Sequence, residues 1–264
     1  MAYQTGNIRY RGSFKSIRHW KNRKDPKIYA GEKGGANRDL IMNHPAFART
    51  RENMSEFEGC GVAVKAIRYG LSSLIPDHTD THFTGRLTAL VKIINLRDDE
   101  GIRGSRAICF SRNRPLLKTM TFHEKKKIDH ELRKCIRTGH PLTRAEATIS
   151  VNGLNPNPAL VPGNAQYYRV INHLSIISDY AFSEEGREYR PVSPLNAKHI
   201  IVYSDYTPVN TPLLVALKAA FPEGIVLSES DTVMQCVGIE FYIKSGKDGY
   251  LPYWEGSMMV FDVF

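Results

Sequence analysis

Cysteine is scarce and scattered in this chain of 264 residues. Cys60, Cys109, Cys135 and Cys236 form no CxxC step, and no histidine stands at zinc-finger spacing from them. That argues against a disulfide-stapled scaffold and against the common structural zinc sites, and the four are read as reduced thiols, mostly buried. No apolar run is long enough for a helix to cross a bilayer. The opening, Met1-Ala2-Tyr3-Gln4-Thr5-Gly6, lacks the basic-then-apolar order of a secretory signal, so a cytoplasmic location is the default expectation, with export by another signal as the alternative. Gly34-Gly35 is not followed by the GK[ST] of a phosphate loop, no GxGxxG follows a strand-like run, and there is no GxSxG nucleophile elbow. Internal repeats and low-complexity linkers are also missing.

What is present is a strong division of charge. Residues 1–140 hold 28 Lys and Arg against 14 Asp and Glu, and residues 141–264 hold 8 against 13, so halves of +14 and −5 make up the net +9. A basic half opposite an acidic one can meet a polyanion, or the acidic face of a neighbouring copy. With 42% hydrophobic residues the chain can bury a large core in one or two domains.

Three regions follow from local pattern. Residues 1–35 mix basic and aromatic side chains and read as a basic arm or β-hairpin, with Ile8–Trp20 and Lys27–Lys33 as its strands and Asn22–Pro26 as its turn. Residues 36–100 read as a helical hairpin region. Asn37 caps a short helix through Met42, and His44-Pro45 interrupts it. Met54, Phe57, Val64, Ile67, Leu71 and Leu74 recur at helical spacing between Thr50 and Ile75, and Pro76 is expected to stop that helix. Glycines at 59, 61 and 70 weaken it by about 1 kcal/mol each relative to alanine, so close packing must offset them. A second helix, Asp80–Arg97, carries Phe83, Leu87, Leu90, Val91 and Ile94 on one face.

Residues 101–264 read as a β-sandwich-like domain. The expected strands are Ile108–Ser111, Leu116–Phe122, Ala147–Val151, Tyr167–Tyr180, His199–Tyr203, Val233–Lys244 and Met258–Phe264, with one short helix at Thr211–Ala220. The fold class expected is therefore α+β: a basic hairpin or arm, an antiparallel helical hairpin, then a mainly antiparallel sandwich.

From Gly31 to Arg68 the chain carries Lys33-Gly34-Gly35, Pro45-Ala46-Phe47, Arg49-Thr50-Arg51-Glu52-Asn53 and Glu56-Phe57, and later Gly238-Ile239-Glu240-Phe241. These motifs resemble those of a family of uncharacterised proteins abundant in Bacteroidota, whose KGG, PAF, RTREN and EF steps precede a late GIEF strand. The resemblance implies kinship and no activity. Members show a shorter, less basic opening, so the basic arm here departs from the pattern. Read physically, Thr50 caps the long helix while Arg49, Arg51 and Glu52 form ion pairs at its start; the alternative is that Arg49 and Arg51 grip a phosphate or carboxylate.

No residue nominates itself as catalytic, and no cofactor is expected. His78 and His82, four apart in His78-Thr79-Asp80-Thr81-His82, are the compact pair of metal-ligand type, but a glutamate to activate water is missing between them. The expectation is a structural, non-enzymatic homo-oligomer that self-associates into a filament, shell or similar assembly. Its contact or anion-binding residues would be Arg9, Arg11, Lys15, Arg18, Trp20, Lys21, Arg23, Lys24, Arg49 and Arg51, and Met258, Phe261 and Phe264 would form a C-terminal contact. The alternative partner is nucleic acid or another polyanion, held by the same basic residues with Trp20 or Tyr10 stacking. A third reading places an enzyme or carbohydrate-binding site on the sheet loops, where Tyr250, Tyr253 and Trp254 gather.

Overall fold

The computed structural model describes residues 2–6, 9–21, 25–124, 129–158, 161–247 and 249–264, with Asp129, His130, Trp254 and Glu255 described by backbone alone. Ile8, Asn22, Arg23, Lys24 and the Lys125–Lys127 run lie outside the described residues. The fold is α+β, and it divides into two compact units, Met1–Arg51 and Glu52–Phe264.

In the first unit, strands β1 (Ala2–Tyr3), β2 (Gly12–Phe14), β3 (Ile17–Lys21) and β4 (Ile28–Glu32) form one antiparallel sheet in the order β1-β4-β3-β2. The expected hairpin is present as β3 against β4, with Lys21 opposite Ile28. Its first arm is not one strand, however. The chain reverses at Lys15-Ser16, where Lys15 takes a φ of +50°, and Phe14 then pairs with Ile17. Helix α1 (Arg38–Asn43) follows, capped by Asn37, whose side chain accepts from the Leu40 N–H at 2.7 Å.

Helix α2 (Ala48–Gly70) runs across the division into the second unit. It starts two residues before Thr50, which therefore sits in its first turn and does not cap it. It ends at Gly70, and Pro76 opens the short helix α3 (Ile75–His78) instead of closing α2, because proline suits the first turn, where its missing N–H has no helical partner to lose. Helix α4 (Phe83–Asn95) buries Phe83, Leu87, Val91 and Ile94 as its spacing predicts. Two of the α2 glycines are contact points. A Cβ at Gly59 would stand 2.3 Å from the Tyr189 ring, and one at Gly70 would stand 3.3 Å from Ser175, whereas Gly61 faces open space. Cys60, on the same packed face, has its thiol pushed up to about 11 by burial, which leaves it a small apolar side chain with little thiolate.

Between the helices and the sheets the strand expectations fail. Ile108 makes one bridge to Tyr180 and Thr121 one to Met259; between them lie a 3-10 turn and helix α5 (Arg114–Leu117), which Pro115 opens. Helix α6 (Asp129–Cys135) leads into a three-stranded sheet in the order β12-β6-β5, built from β5 (Ile136–Gly139), β6 (Glu146–Leu154) and β12 (Leu213–Ala220). Strand β12 replaces the helix expected at Thr211–Ala220. Its residues are good helix formers, but Leu213, Leu217 and Ala219 alternate onto the buried side against β6, and pairing overrides propensity.

The central sheet contains β7 (Tyr167–Ser178), β10 (His199–Tyr203), β11 (Thr207–Pro208), β13 (Asp231–Ser245) and β14 (Gly249–Val263); β8 (Tyr180–Ser183) and β9 (Glu188–Pro191) form a separate hairpin. Every pairing is antiparallel. The central sheet is covered on both sides. Ile171, Ile177, Met234, Cys236, Met258 and Val260 pack with α2 and α4, while Tyr168, Val170, Val237, Ile239, Met259 and Phe261 pack with the three-stranded sheet. The second unit thus has three layers: helices, central sheet, small sheet.

Polar groups in this core are matched. Asn172 donates to the Ala147 and Leu217 carbonyls at 3.0 Å each and accepts from Gln235, which in turn accepts from Thr138 at 2.7 Å. On the helix side, buried Glu56 accepts from Lys92 at 2.6 Å and from the Gly104 N–H at 2.8 Å. Burial alone would raise the Glu56 carboxyl, but these two bonds bring it below its ordinary value.

His173 donates from Nε2 to the Gly70 carbonyl at 2.8 Å, and burial pulls it down to about 4. A histidine so depressed is less easily protonated folded than unfolded, so its share of stability is full above about pH 6.5 and is lost as pH falls towards 4. Denaturant unfolding of wild type and His173→Gln across pH 7 to 4 should show curves whose difference changes by about 3 kcal/mol over that window; parallel curves would show that His173 does not carry it. Separately, Gly59→Ala should cost about 1–3 kcal/mol in the same assay, because the Tyr189 ring must move.

Candidate assembly surface

The described residues of the first unit form a sheet that the rest of that unit covers little. From the pairing register, Phe14, Ile17, Ile28 and Ala30 share one face, and Tyr3, Arg18, Trp20 and Tyr29 share the other. Among the described residues of this unit Ile28 alone is buried, at 7% exposure, while Phe14 is 67% and Tyr3 50% exposed; Ile17, Tyr10, Leu40 and Met42 are exposed as well. A sheet that is apolar on one or both faces needs a second layer, and each large apolar side chain fully covered contributes about 1.5–3 kcal/mol. The outer strands β1 and β2 are two and three residues long, so their edges offer little backbone for strand addition and the faces are the usable surface.

Charge concentrates here too. Residues 1–51 hold 12 Lys and Arg against 3 Asp and Glu, and residues 52–264 hold 24 of each, so the whole formal charge of +9 belongs to the first unit. Arg9, Arg11, Lys15, Arg18 and Lys21 are all exposed, while Arg23 and Lys24 lie outside the described residues. Trp20 is half-buried in its own sheet. Tyr29 lies 6.1 Å away, centroid to centroid, and Gly31 is close enough that a Cβ there would meet the indole at 3.1 Å, so this ring packs on its own sheet. Tyr10 is held in a local network: its hydroxyl and His19 Nε2 lie 3.2 Å apart, and Gln4 Nε2 is 2.7 Å from His19 Nδ1.

Arg51 Nη1 donates to the Ile41 and His44 carbonyls at 2.8 and 3.0 Å, satisfying the open end of α1 and joining it to the start of α2. Glu52 pairs with Arg103 at 3.4 Å. Arg49 is exposed.

The residues expected to form a C-terminal contact lie inside the fold. Met258, Phe261 and Phe264 are buried within their own chain, because β14 pairs along β13 and Phe264 exchanges backbone hydrogen bonds with Val233 at 2.8 and 3.0 Å. An apolar strand finds its cover inside the fold, and none of the three is available to a neighbour. His78 and His82 also part company: His78 is buried with Nδ1 2.9 Å from the Leu74 carbonyl, and His82 is exposed. Among the described residues no three His, Cys, Asp or Glu side chains gather to hold a metal ion, and no helix is long and apolar enough to cross a membrane.

No protein-family model, no curated protein and no solved structure matches the chain.

Arg51→Ala should release α1 while leaving the second unit intact. Hydrogen exchange at Arg38–Asn43 should speed up by the equivalent of about 1–2 kcal/mol, with the main melting transition unchanged; unchanged exchange would mean that the two carbonyl bonds do not hold the helix.

Proposed function

We propose that this protein is a structural subunit that self-associates into a larger assembly through residues 1–51 and the helical region they lead into. The observation that carries the reading is the single-layer sheet of the first unit, with Phe14 and Ile17 exposed on one face and Tyr3 on the other. A neighbouring subunit supplies the missing layer.

Charge then selects the kind of contact. A surface bearing the chain's entire +9 repels its own copy, so an isologous pairing of two first units is electrostatically costly. A head-to-tail contact, basic unit against the acidic residues of 141–264 on the next subunit, is favourable. Such heterologous contacts generate closed rings or open filaments.

A second reading rests on the same charge: a polyanion such as nucleic acid held by Arg9, Arg11, Lys15, Arg18 and Lys21. Phosphate contact would dominate it, since Trp20 is half-buried against its own sheet.

Light scattering on the full chain at low and high salt, with absorbance at 260 and 280 nm on the same peak, separates the two. Self-association predicts a nucleic-acid-free particle at a multiple of 29.9 kDa that F14D/I17D reduces to monomer without lowering the main melting transition. Co-eluting nucleic acid that leaves at high salt favours the polyanion. A bare monomer at both salts overturns both.

A further inference from the structure

Helix α2 is apolar on two sides. One side packs in the core through Cys60, Ala63, Val64 and Ile67. The other carries Met54, Phe57, Gly61, Val62 and Tyr69, with Glu58 and Lys65 between them at the same helical spacing. All seven are exposed, Phe57 at 56% and Tyr69 at 66%. Gly61 is the telling member. Gly59 and Gly70 closely face Tyr189 and Ser175, but nothing lies within 4 Å of a Cβ at Gly61, so a residue that weakens the helix has no contact in its own chain to offset it. We infer that this stripe pairs with the same stripe of a second copy, the two α2 helices running antiparallel about a twofold axis between Gly61 and Val62.

The pattern is self-complementary. Reversed about the midpoint of Gly61 and Val62, the stripe sets Glu58 against Lys65 of the second copy, Met54 against its Tyr69 and Gly61 against its Val62, and symmetry repeats each pair. Within one helix Glu58 and Lys65 are about 10 Å apart along the axis, too far to meet. Among the described residues neither has an ion-pair partner in its own chain, and across the twofold axis each gains one. Met54 on Tyr69 is a thioether–ring contact. At the centre, Gly61 lacks the Cβ that would hold the helices apart, as Gly59 does where α2 closes on Tyr189. Exposed Arg68 stands at the edge of the stripe, where its long stem leaves the guanidinium in water.

Charge also fixes the direction. A parallel pair would set Glu58 against Glu58 and Lys65 against Lys65, and would bring together the N-terminal ends of α2, where the basic residues 1–51 join it. In the antiparallel pair the two Arg51 positions stand about 30 Å apart along the axis, several Debye lengths at physiological salt. A single helix crossing is small beside the roughly 1,200–2,000 Å² of a stable interface, so alone it holds a dimer only at high concentration, and in a larger assembly it joins subunits that other contacts have already brought together.

This contact is separate from the one proposed for residues 1–51, and the test isolates it. Sedimentation equilibrium on full-chain F14D/I17D, in which the sheet contact is removed, should show monomer at micromolar and dimer approaching millimolar protein. Adding Glu58→Lys or Lys65→Glu should weaken the dimer about tenfold or more, because like charges then face each other, and E58K/K65E together should restore it. Gly61→Gln should raise the melting transition, since glutamine favours the helix and has open space, and yet weaken the dimer. Melting curves establish that the charge variants fold, both positions being exposed. F14D/I17D that stays monomeric at the highest concentration, a dimer indifferent to either charge reversal, or a double reversal that fails to restore it would each overturn the pairing. A wild-type chain that grows no further than this dimer would instead overturn the sheet contact and leave the helix pairing standing.

Discussion

Strand β13 is buried along both faces for most of its length, and the second unit is arranged around that constraint. Its even-numbered residues from Met234 to Cys236 meet the helices, and its odd-numbered residues from Val233 to Phe241 meet the small sheet. An antiparallel strand commonly faces water on one side, and its sequence then alternates. Here neither side is wet, so Val233–Ile239 reads as a nearly unbroken apolar run. Register must then be set by something other than a polar face, and the Asn172–Gln235–Thr138 chain supplies it. A one-residue slip would carry Gln235 out of reach of both partners and into the aliphatic layer beside the helices. The Glu56–Lys92 pair does the same for the helices, since it is satisfied only when α2 and α4 share one alignment over Gly104.

Local pattern revealed elements where one residue face decided them. The α4 stripe, the Asn37 cap and strand His199–Tyr203 depend on neighbours a few positions away, and they were legible in the sequence. Leu213–Ala220 was not. Leu, Ala and Lys favour a helix, and only the presence of β6 alongside makes the extended form the better burial. Leu116–Phe122 failed in the opposite sense, because an apolar run of that length fits a buried strand or a helical turn equally well and Pro115 decides locally for the turn. Met258, Phe261 and Phe264 were recognised as needing cover, yet nothing in the sequence distinguishes cover by one's own strand from cover by a neighbour's.

The grouping of tyrosines around the Arg169–Glu240 pair was still less legible. Asp77, Arg169, Tyr203, Tyr206, Glu240 and Tyr250 come from five separate segments, and each alone is an ordinary surface or strand residue. Tyr250 and Tyr253 stood out as an aromatic cluster near the chain end, but the side chains gathered around them arrive through pairing across β7 and β13. By contrast the basic character of residues 1–51 was evident from composition, because net charge needs no fold to be counted.

The two units differ in how each resolves the same physical problem. A sheet of this kind presents apolar side chains that water disfavours, and the second unit covers its sheet twice, with helices and with a second sheet. Among its described residues the first unit has four short strands and the six-residue helix α1, buries Ile28, and leaves aromatic rings on the surface beside a charge of +9. Self-repulsion of that charge opposes the closing of two such sheets on each other, which apolar burial alone would favour. The proposed assembly calls for a partner surface that is both apolar and acidic, and residues 141–264, with a net −5, would supply the charge half of that requirement. In such a proposed assembly, contact between unlike surfaces of identical subunits would not satisfy itself in a pair: every added subunit would present a fresh unlike surface, so growth would stop only where the rotation between neighbours closes a ring.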